Sequence, residues 1–159
     1  MAQEKISYEQ FIEATGPEAR PLIRELHDNL TKIGCKAAFE LKKSGPLASY
    51  KYGKPPKALL NVVFRKEGQL ARVYGENTST YSDFLNTLPK NMVQEIDKSG
   101  DCGRLVNNTC SPKCTGYDFE INGQHFQKCR YGCFMFLITP ESGPYIKSLV
   151  EHELGARIN

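Results

Sequence analysis

The sequence lacks several features that would place it in a common functional class. No apolar run approaches the ~20 residues that a membrane-spanning helix needs, and the N-terminal MAQEKISYEQ has no apolar signal-peptide core. The net charge of +3 is too small to indicate a nucleic-acid partner. We therefore expect a cytoplasmic protein that makes no membrane contact and whose partner is an unidentified small ligand or protein.

Familiar catalytic patterns are also missing. The three histidines, His27, His125 and His152, lie in separate predicted elements. No Ser-His-Asp order, paired-carboxylate motif or phosphate-cradling glycine loop accompanies them. His27 adjoins an apolar helical stripe, so we expect it to be a surface or half-buried helix residue. We assign no catalytic residue and expect a protein that is not an enzyme.

Hydrophobic periodicity predicts an α+β fold. The 159 residues suffice for one domain with a hydrophobic core, which we place at 1–159. LLNVVF is nearly all apolar and predicts a strand near the middle of a sheet. Short connections favour an antiparallel or mixed sheet of about five to six strands with helices packed on it. Helices are predicted at 8–13, 17–34, 80–87, 89–99 and from 142 onward, and strands at 47–52, 58–65, 69–75 and 134–139.

Most of the cysteines lie in one segment, residues 102–133, which predicts a β-hairpin. YDFEI alternates apolar and polar residues, and the Asn122-Gly123 pair that follows is the strongest short-range hairpin signal. A two-residue turn pairs Phe119 with Phe126 and Tyr117 with Lys128. Continued outward, this register places Cys129 opposite Gly116.

The same register brings two Cys-x-x-x-Cys pairs to the open end of the hairpin, where Cys114 would fall opposite Tyr131. Zinc takes four ligands in a tetrahedron with Zn–S near ~2.3 Å, and two cysteine pairs at a hairpin base can supply them. The sequence therefore predicts a structural zinc site. Its four ligands are Cys110, Cys114, Cys129 and Cys133.

Other uses of these thiols remain open. The usual zinc-ribbon spacing is Cys-x-x-Cys, whereas each gap here has three residues, and Cys102 either replaces Cys110 as a ligand or is a spare thiol. Reduced cysteines without metal, a thiol-based redox or metal sensor and a disulfide are alternatives. An iron–sulfur cluster also takes four thiolates, but its familiar spacings are not found. Lys113, Lys128 and Arg130 would lower the pKa values of nearby thiols, which serves metal binding and redox chemistry alike.

Two smaller predictions concern the rest of the chain. Cys35 follows a predicted helix cap and is expected to pack as a small hydrophobe. Aromatic and polar side chains near the ends of the first and third predicted strands form a candidate small-ligand site, if those strands are adjacent. Its residues are Tyr50, Tyr52, Arg72, Tyr74, Asn77 and Tyr81.

Three segments carry a resemblance to other proteins. FIEATGPEARPLIRELHDNL, SYKYGKP and the closing CFMFLITPESGPYIKSLVEHEL resemble the layout of small bacterial α+β proteins of the frataxin-like iron-chaperone family, whose function is unknown. KCRYGCFMFL is similar to the same region of uncharacterised Firmicutes proteins. The resemblance implies an α+β fold, and the cysteine hairpin departs from the iron-chaperone pattern.

Overall fold

The computed structural model describes residues 4–106 and 116–158, which fold into one six-stranded antiparallel sheet and a two-stranded hairpin, with helices packed on them. The predicted α+β class is confirmed. Within these residues no helix is long and apolar enough to cross a membrane. The elements in order are β1 (Glu4–Lys5), α1 (Tyr8–Ala14), α2 (Arg20–Ile33), β2 (Lys36–Lys42), β3 (Gly45–Tyr52), β4 (Lys57–Arg65), β5 (Gly68–Val73), a 3₁₀ turn (Thr78–Tyr81), α3 (Ser82–Leu85), α4 (Lys90–Lys98), α5 (Gly103–Val106), β6 (Tyr117–Ile121), β7 (Gln124–Lys128), β8 (Met135–Leu137) and α6 (Gly143–Ile158).

The six strands lie in the order β1-β2-β3-β4-β5-β8, so the apolar β4 is near the middle, as predicted. Each neighbouring pair is antiparallel. Because side chains alternate between the faces, the register fixes what each face carries. Tyr50 belongs to the buried core beneath the helices. Ser49, Asn61 and Arg72 lie next to one another on the other face.

The two long helices follow the predicted apolar stripes. Leu22, Ile23, Leu26 and Leu30 of α2 are buried, and Gly34 ends the helix with φ of 109°, a conformation that glycine adopts without steric cost. The helix begins at Arg20 rather than at Pro17, because 16–19 form a separate turn.

Two parts of the sheet differ from the prediction. β1 and β2 were not predicted. KAAFELK of β2 is rich in Lys, Ala and Glu, which strands disfavour, and most of its residues are exposed. Pairing with β3 decides its conformation. β8 is also shorter than the predicted strand at 134–139. Hydrogen bonds from Val73 to the Phe134 carbonyl and from Ile138 to the Gln69 carbonyl nonetheless extend its alignment with β5 at both ends.

The predicted helix at 80–87 is instead a 3₁₀ turn followed by the single turn α3. The apolar residues of this segment do form one buried side, as their spacing predicts, since Tyr81 and Leu85 both lie in the core. The segment is too short to support a longer helix, and its capping positions carry no side-chain hydrogen bond.

The hairpin forms in the predicted register. Phe119 pairs with Phe126 and Tyr117 with Lys128. Asn122 and Gly123 have φ of 49° and 85°, the positive values that the tight turn requires. The apolar side of β6 packs on Phe134, whose ring centroid lies 5.2 Å from that of Phe119. The hairpin is thus an independent two-stranded sheet whose buried side completes the main core.

Candidate cysteine site at the open end of the hairpin

Three cysteines of the predicted site region are described, namely Cys102, Cys129 and Cys133, while Cys110 and Cys114 lie outside the described residues. A single antiparallel bridge between Asp101 and Lys128 joins the segment before α5 to the end of β7. Cys102 N–H donates to the Gln127 carbonyl at 3.0 Å, and Cys129 N–H donates to the Gly100 carbonyl at 2.8 Å. Tertiary pairing therefore brings Cys102 to the hairpin base.

Cys129 and Cys133 are joined by a single helical turn. The Cys133 N–H donates to the Cys129 carbonyl at 3.0 Å, the i to i+4 bond of an α-helix. A turn closed in this way brings residues four apart near each other, and Cys129 is close enough to contribute to the raised pKa of the Cys133 thiol. Strand pairing ends at Lys128, so the predicted continuation of the ladder to Cys129 and Gly116 is wrong, because the chain turns after Lys128. The predicted pair of Tyr131 with Cys114 involves a residue outside the described ranges.

The helical turn is held against the sheet by two arginines. Arg72 Nε donates to the Tyr131 carbonyl at 2.8 Å, from the open face of β5. Arg130 pairs with the Glu76 carboxylate, and its guanidinium lies 5.2 Å from the ring centroid of Tyr74. These contacts position residues 130 and 131 of the Cys129–Cys133 turn relative to the sheet.

Burial and a nearby ammonium group act in opposite directions on the pKa of the Cys133 thiol. Its side chain is only 1% exposed, and burial raises the pKa of its thiol far above the ordinary value. The Lys128 ammonium partly opposes this shift, and Cys129 adds to it. Without a bound cation Cys133 is therefore a neutral thiol, and a metal ligand would have to lose its proton.

Lys128 is itself buried, and its charge is fully partnered. Its Nζ donates to the carbonyls of Asp97 and Ser99 at 2.9 and 3.0 Å and to the Asp101 carboxylate at 2.9 Å. The first two bonds satisfy carbonyls at the C-terminus of α4, where a cation is favoured. Lys128 thus ties the hairpin base to α4 and places a positive charge near Cys133.

Cys102 packs against the start of β6. A Cβ atom built on Gly116 would lie 2.7 Å from the Cys102 Cβ and closer still to its sulfur, so only glycine fits there. By contrast Cys35 lies in the main core at 7% exposure, which confirms its predicted role as a small apolar side chain.

The described residues alone do not make a metal centre. In the ranges 4–106 and 116–158, no group of three or more His, Cys, Asp or Glu side chains is arranged to hold an ion. Cys102, Cys129 and Cys133 therefore do not form a three-thiolate site in this arrangement. The four-cysteine site stays a prediction, since two of its ligands lie outside these ranges.

The structure distributes the candidate small-ligand residues among separate places. Arg72 and Tyr74 lie on the open sheet face, where the Tyr74 hydroxyl donates to Asn61 Oδ1 at 2.6 Å. Tyr50 lies on the helix-covered face, and Tyr52 packs at the margin of the core. The two faces are separated by the sheet itself, so these side chains do not converge on one pocket.

Tyr50 forms a different cluster. Its hydroxyl lies 2.9 Å from His27 Nδ1, and burial raises its pKa strongly. The His27 ring stacks on Tyr8 with centroids 3.8 Å apart. His27 is half-buried, as predicted, and burial lowers its pKa.

Asn77 and Tyr81 contact a carboxylate that the sequence analysis did not single out. Glu153 is fully buried and accepts hydrogen bonds from Tyr81 Oη at 2.5 Å and Asn77 Nδ2 at 2.7 Å. Its other partner is Arg157 Nε at 2.9 Å. A signal was present, because Glu153 interrupts the apolar stripe of α6 and Arg157 follows one turn later. These contacts support a structural role for Asn77 and Tyr81.

His125 lies near the hairpin tip and pairs with Asp118 at 2.6 Å, both side chains being more than half exposed. It is therefore remote from the base, as predicted.

Comparisons with known proteins add no constraint, since no protein-family model, no curated protein and no solved structure matches the chain. The resemblance to iron-chaperone-like and Firmicutes proteins accordingly stays a prediction.

Proposed function

We propose that this chain is a non-enzymatic cytoplasmic protein whose hairpin is clamped at its open end by one structural zinc ion. The ligands are Cys129 and Cys133 from the helical turn, together with Cys110 and Cys114 from the preceding segment. The observation that carries the proposal is the i to i+4 hydrogen bond between Cys129 and Cys133. This bond supports the three-residue spacing, since a turn closed by an i to i+4 hydrogen bond brings Cys129 and Cys133 near each other.

The positive side chains near the turn favour thiolates there, and thiolates are the form in which cysteines bind a metal. Four thiolates on one divalent ion leave a net charge of −2, which a low-dielectric site tolerates only with compensating charge. The Lys128 ammonium is close enough to lower the pKa of the Cys133 thiol, although the carboxylates of Asp101 and Glu76 already pair Lys128 and Arg130. Cys133 is buried and protonated without metal, which disfavours it as the attacking thiol of a redox sensor.

The direct test is the metal content of the untagged full-length protein, purified under reducing conditions. We expect about one zinc per chain in native mass spectrometry, and a lower midpoint of thermal unfolding after chelation that zinc restores. Measuring iron in the same sample tests the rival metal. A protein that contains no metal and whose stability is indifferent to both chelator and added zinc would overturn the proposal.

Serine substitutions identify the ligands. Cys129→Ser and Cys133→Ser should each lose the zinc, whereas Cys35→Ser, which changes a buried thiol outside the hairpin, should keep it. Cys102→Ser distinguishes a site completed by Cys110 from a site completed by Cys102. If Cys102 rather than Cys110 completes the site, Cys102→Ser loses the metal and Cys110→Ser retains it.

A further inference from the structure

The chain contains a short internal repeat at the start of two packed helices. PEARPLIREL at 17–26 and PESGPYIKSL at 140–149 share five of ten residues, including both prolines, the glutamate, the isoleucine and the leucine. The first belongs to the beginning of α2 and the second to the beginning of α6, and these two helices contact each other. The equivalent isoleucines, Ile23 and Ile146, are both buried. The repeat therefore places two similar helix starts side by side.

A groove lies between these two helix starts. Its volume is about 560 Å³, within the range of small-molecule sites, and most of its lining is apolar. Four of the nine prolines of the chain line it, Pro17 and Pro21 from one motif and Pro140 and Pro144 from the other. Proline rings are rigid and carry no N–H, so the groove is apolar and loses little conformational entropy on binding.

The charged groups at the groove are mainly acidic. Glu18 and Glu25 line it together with Lys147, but the Lys147 ammonium is bound to Glu25 at 2.8 Å. Glu18 makes no hydrogen bond or ion pair with the part of the chain that the structure describes. A second depression of about 340 Å³, which Glu18 and Glu67 border, adjoins it. The unpaired charge at this surface is therefore negative.

The positive end of α6 does not reverse this balance. A helix N-terminus favours an anion chiefly through unbonded N–H groups. In α6 the N–H groups of Gly143, Tyr145 and Ile146 donate to backbone carbonyls, and Pro144 has none. Among the described residues, the groove therefore presents the free carboxylate of Glu18, and the first turn of α6 offers it no free N–H group.

We propose that this groove binds a compact apolar cation, in which an aromatic or branched aliphatic group lies between the prolines and a protonated amine pairs with Glu18. The proposal is independent of the zinc site, which lies in a different part of the fold. Binding is by contact and charge alone and involves no chemical step.

The test is a chemical-shift titration of the ¹⁵N-labelled full-length protein with 2-phenylethylamine. We expect a Kd on the order of 1 mM, from the few non-hydrogen atoms of the probe, with shifts concentrated at Leu22, Glu25, Thr139 and Lys147. Neutral 2-phenylethanol should bind more weakly, and anionic 3-phenylpropanoate most weakly. Equal or tighter binding of the anion, or shifts elsewhere on the protein, would overturn the proposal, as would no saturable shift at ten times the expected Kd.

The internal repeat provides a matched pair of variants for the charge. Glu18→Gln should weaken amine binding by about threefold to fivefold, the usual range for a solvent-accessible ion pair, and leave binding of the alcohol unchanged. Glu141→Gln changes the equivalent glutamate of the second motif, which does not line the groove, and should alter neither. Equal effects of both substitutions would contradict the assigned role of Glu18.

A second pair tests the groove itself. Gly143 lines it, and a Cβ there would only just touch Leu22 at 3.9 Å, so Gly143→Leu should fill the groove and abolish binding of all three probes. Gly155→Leu makes the same change in the same helix, at a position with open space around it, and should preserve binding. Unchanged amine binding in folded Gly143→Leu protein would show that the groove is not the site.

Discussion

The carboxylate of Glu153, which has no solvent exposure, accepts a hydrogen bond of 2.9 Å from Nε of Arg157 one turn further along α6. The same arginine donates to the carbonyls of Ala58 and Tyr74 at 2.8 Å each. The pair therefore fastens the end of α6 to β4 and to the residue after β5. Its hydrogen bonds compensate for the burial of two opposite charges.

Glu153→Ala should be strongly destabilising for this reason. Removing one member of a buried ion pair leaves the other charge uncompensated, which typically costs about 3–5 kcal/mol of the free energy of unfolding. Urea denaturation of the variant measures the loss. Glu151→Ala, an exposed position on the same helix, is the control and should change stability by less than about 0.5 kcal/mol. A loss below about 1 kcal/mol for Glu153→Ala would show that water replaces the missing contacts.

Gly116→Ala should destabilise the hairpin base because the added methyl group overlaps Cys102. Overpacking of this kind typically costs about 1–3 kcal/mol in the free energy of unfolding. Denaturant unfolding should show that loss, and the double variant Gly116→Ala/Cys102→Gly should recover part of it by removing the opposing side chain. Gly100→Ala introduces the same methyl group where no atom lies within 4 Å and serves as the control. Additive losses in the double variant would argue against a direct clash.

The described cysteines should differ in reactivity toward iodoacetamide. Cys129 is half-buried, whereas Cys35, Cys102 and Cys133 are buried, and the raised pKa of Cys133 keeps it protonated. In metal-free reduced protein we therefore expect Cys129 to be alkylated before these three, as measured by peptide mass spectrometry over time. Added zinc should then protect Cys129. Alkylation of Cys133 at the rate of Cys129 would contradict the burial of its thiol.

His27 should make stability depend on pH. Burial is the main cause that lowers its pKa, and the charges of Asp28 and Glu9 oppose this effect. As pH falls below the ordinary value of 6.5, the unfolded chain therefore takes up a proton before the folded protein does. Stability is consequently lost from about pH 6.5 downward through the folded-state pKa. The test compares midpoints of thermal unfolding between about pH 5 and pH 7, the range in which histidine titrates. These midpoints should change less with pH in His27→Gln than in the wild type. Equal slopes would remove His27 as the cause.

The features that could be predicted were those set by neighbouring residues. Asn122-Gly123 specifies the tight turn because both residues need positive φ, and the alternation of Tyr117 to Ile121 then decides the register. Gly34 ends α2 for the same local reason. The apolar β4 was correctly placed near the middle, since a run with few polar side chains must be covered on most sides.

The site was predicted less completely, because it depends on contacts between distant segments. The helical turn at 129–133 replaces an extended continuation of the strand, and Arg72 holds it from β5 through the Tyr131 carbonyl. The proposed ligand residues Tyr50 and Arg72 were separated by strand alternation once the sheet register was known.

The sequence by itself determined the α+β class, the hairpin and its register, and the apolar faces of the long helices. Each of these follows from side-chain periodicity or from the backbone preferences of a few adjacent residues. Only the tertiary structure decided that Glu153 is buried with Arg157, that Cys102 reaches the hairpin base, and that two similar proline motifs border one groove. Those features depend on which surfaces meet when the helices and the hairpin pack. The free energy of that packing comes from contacts between distant segments, so no single segment predicts it.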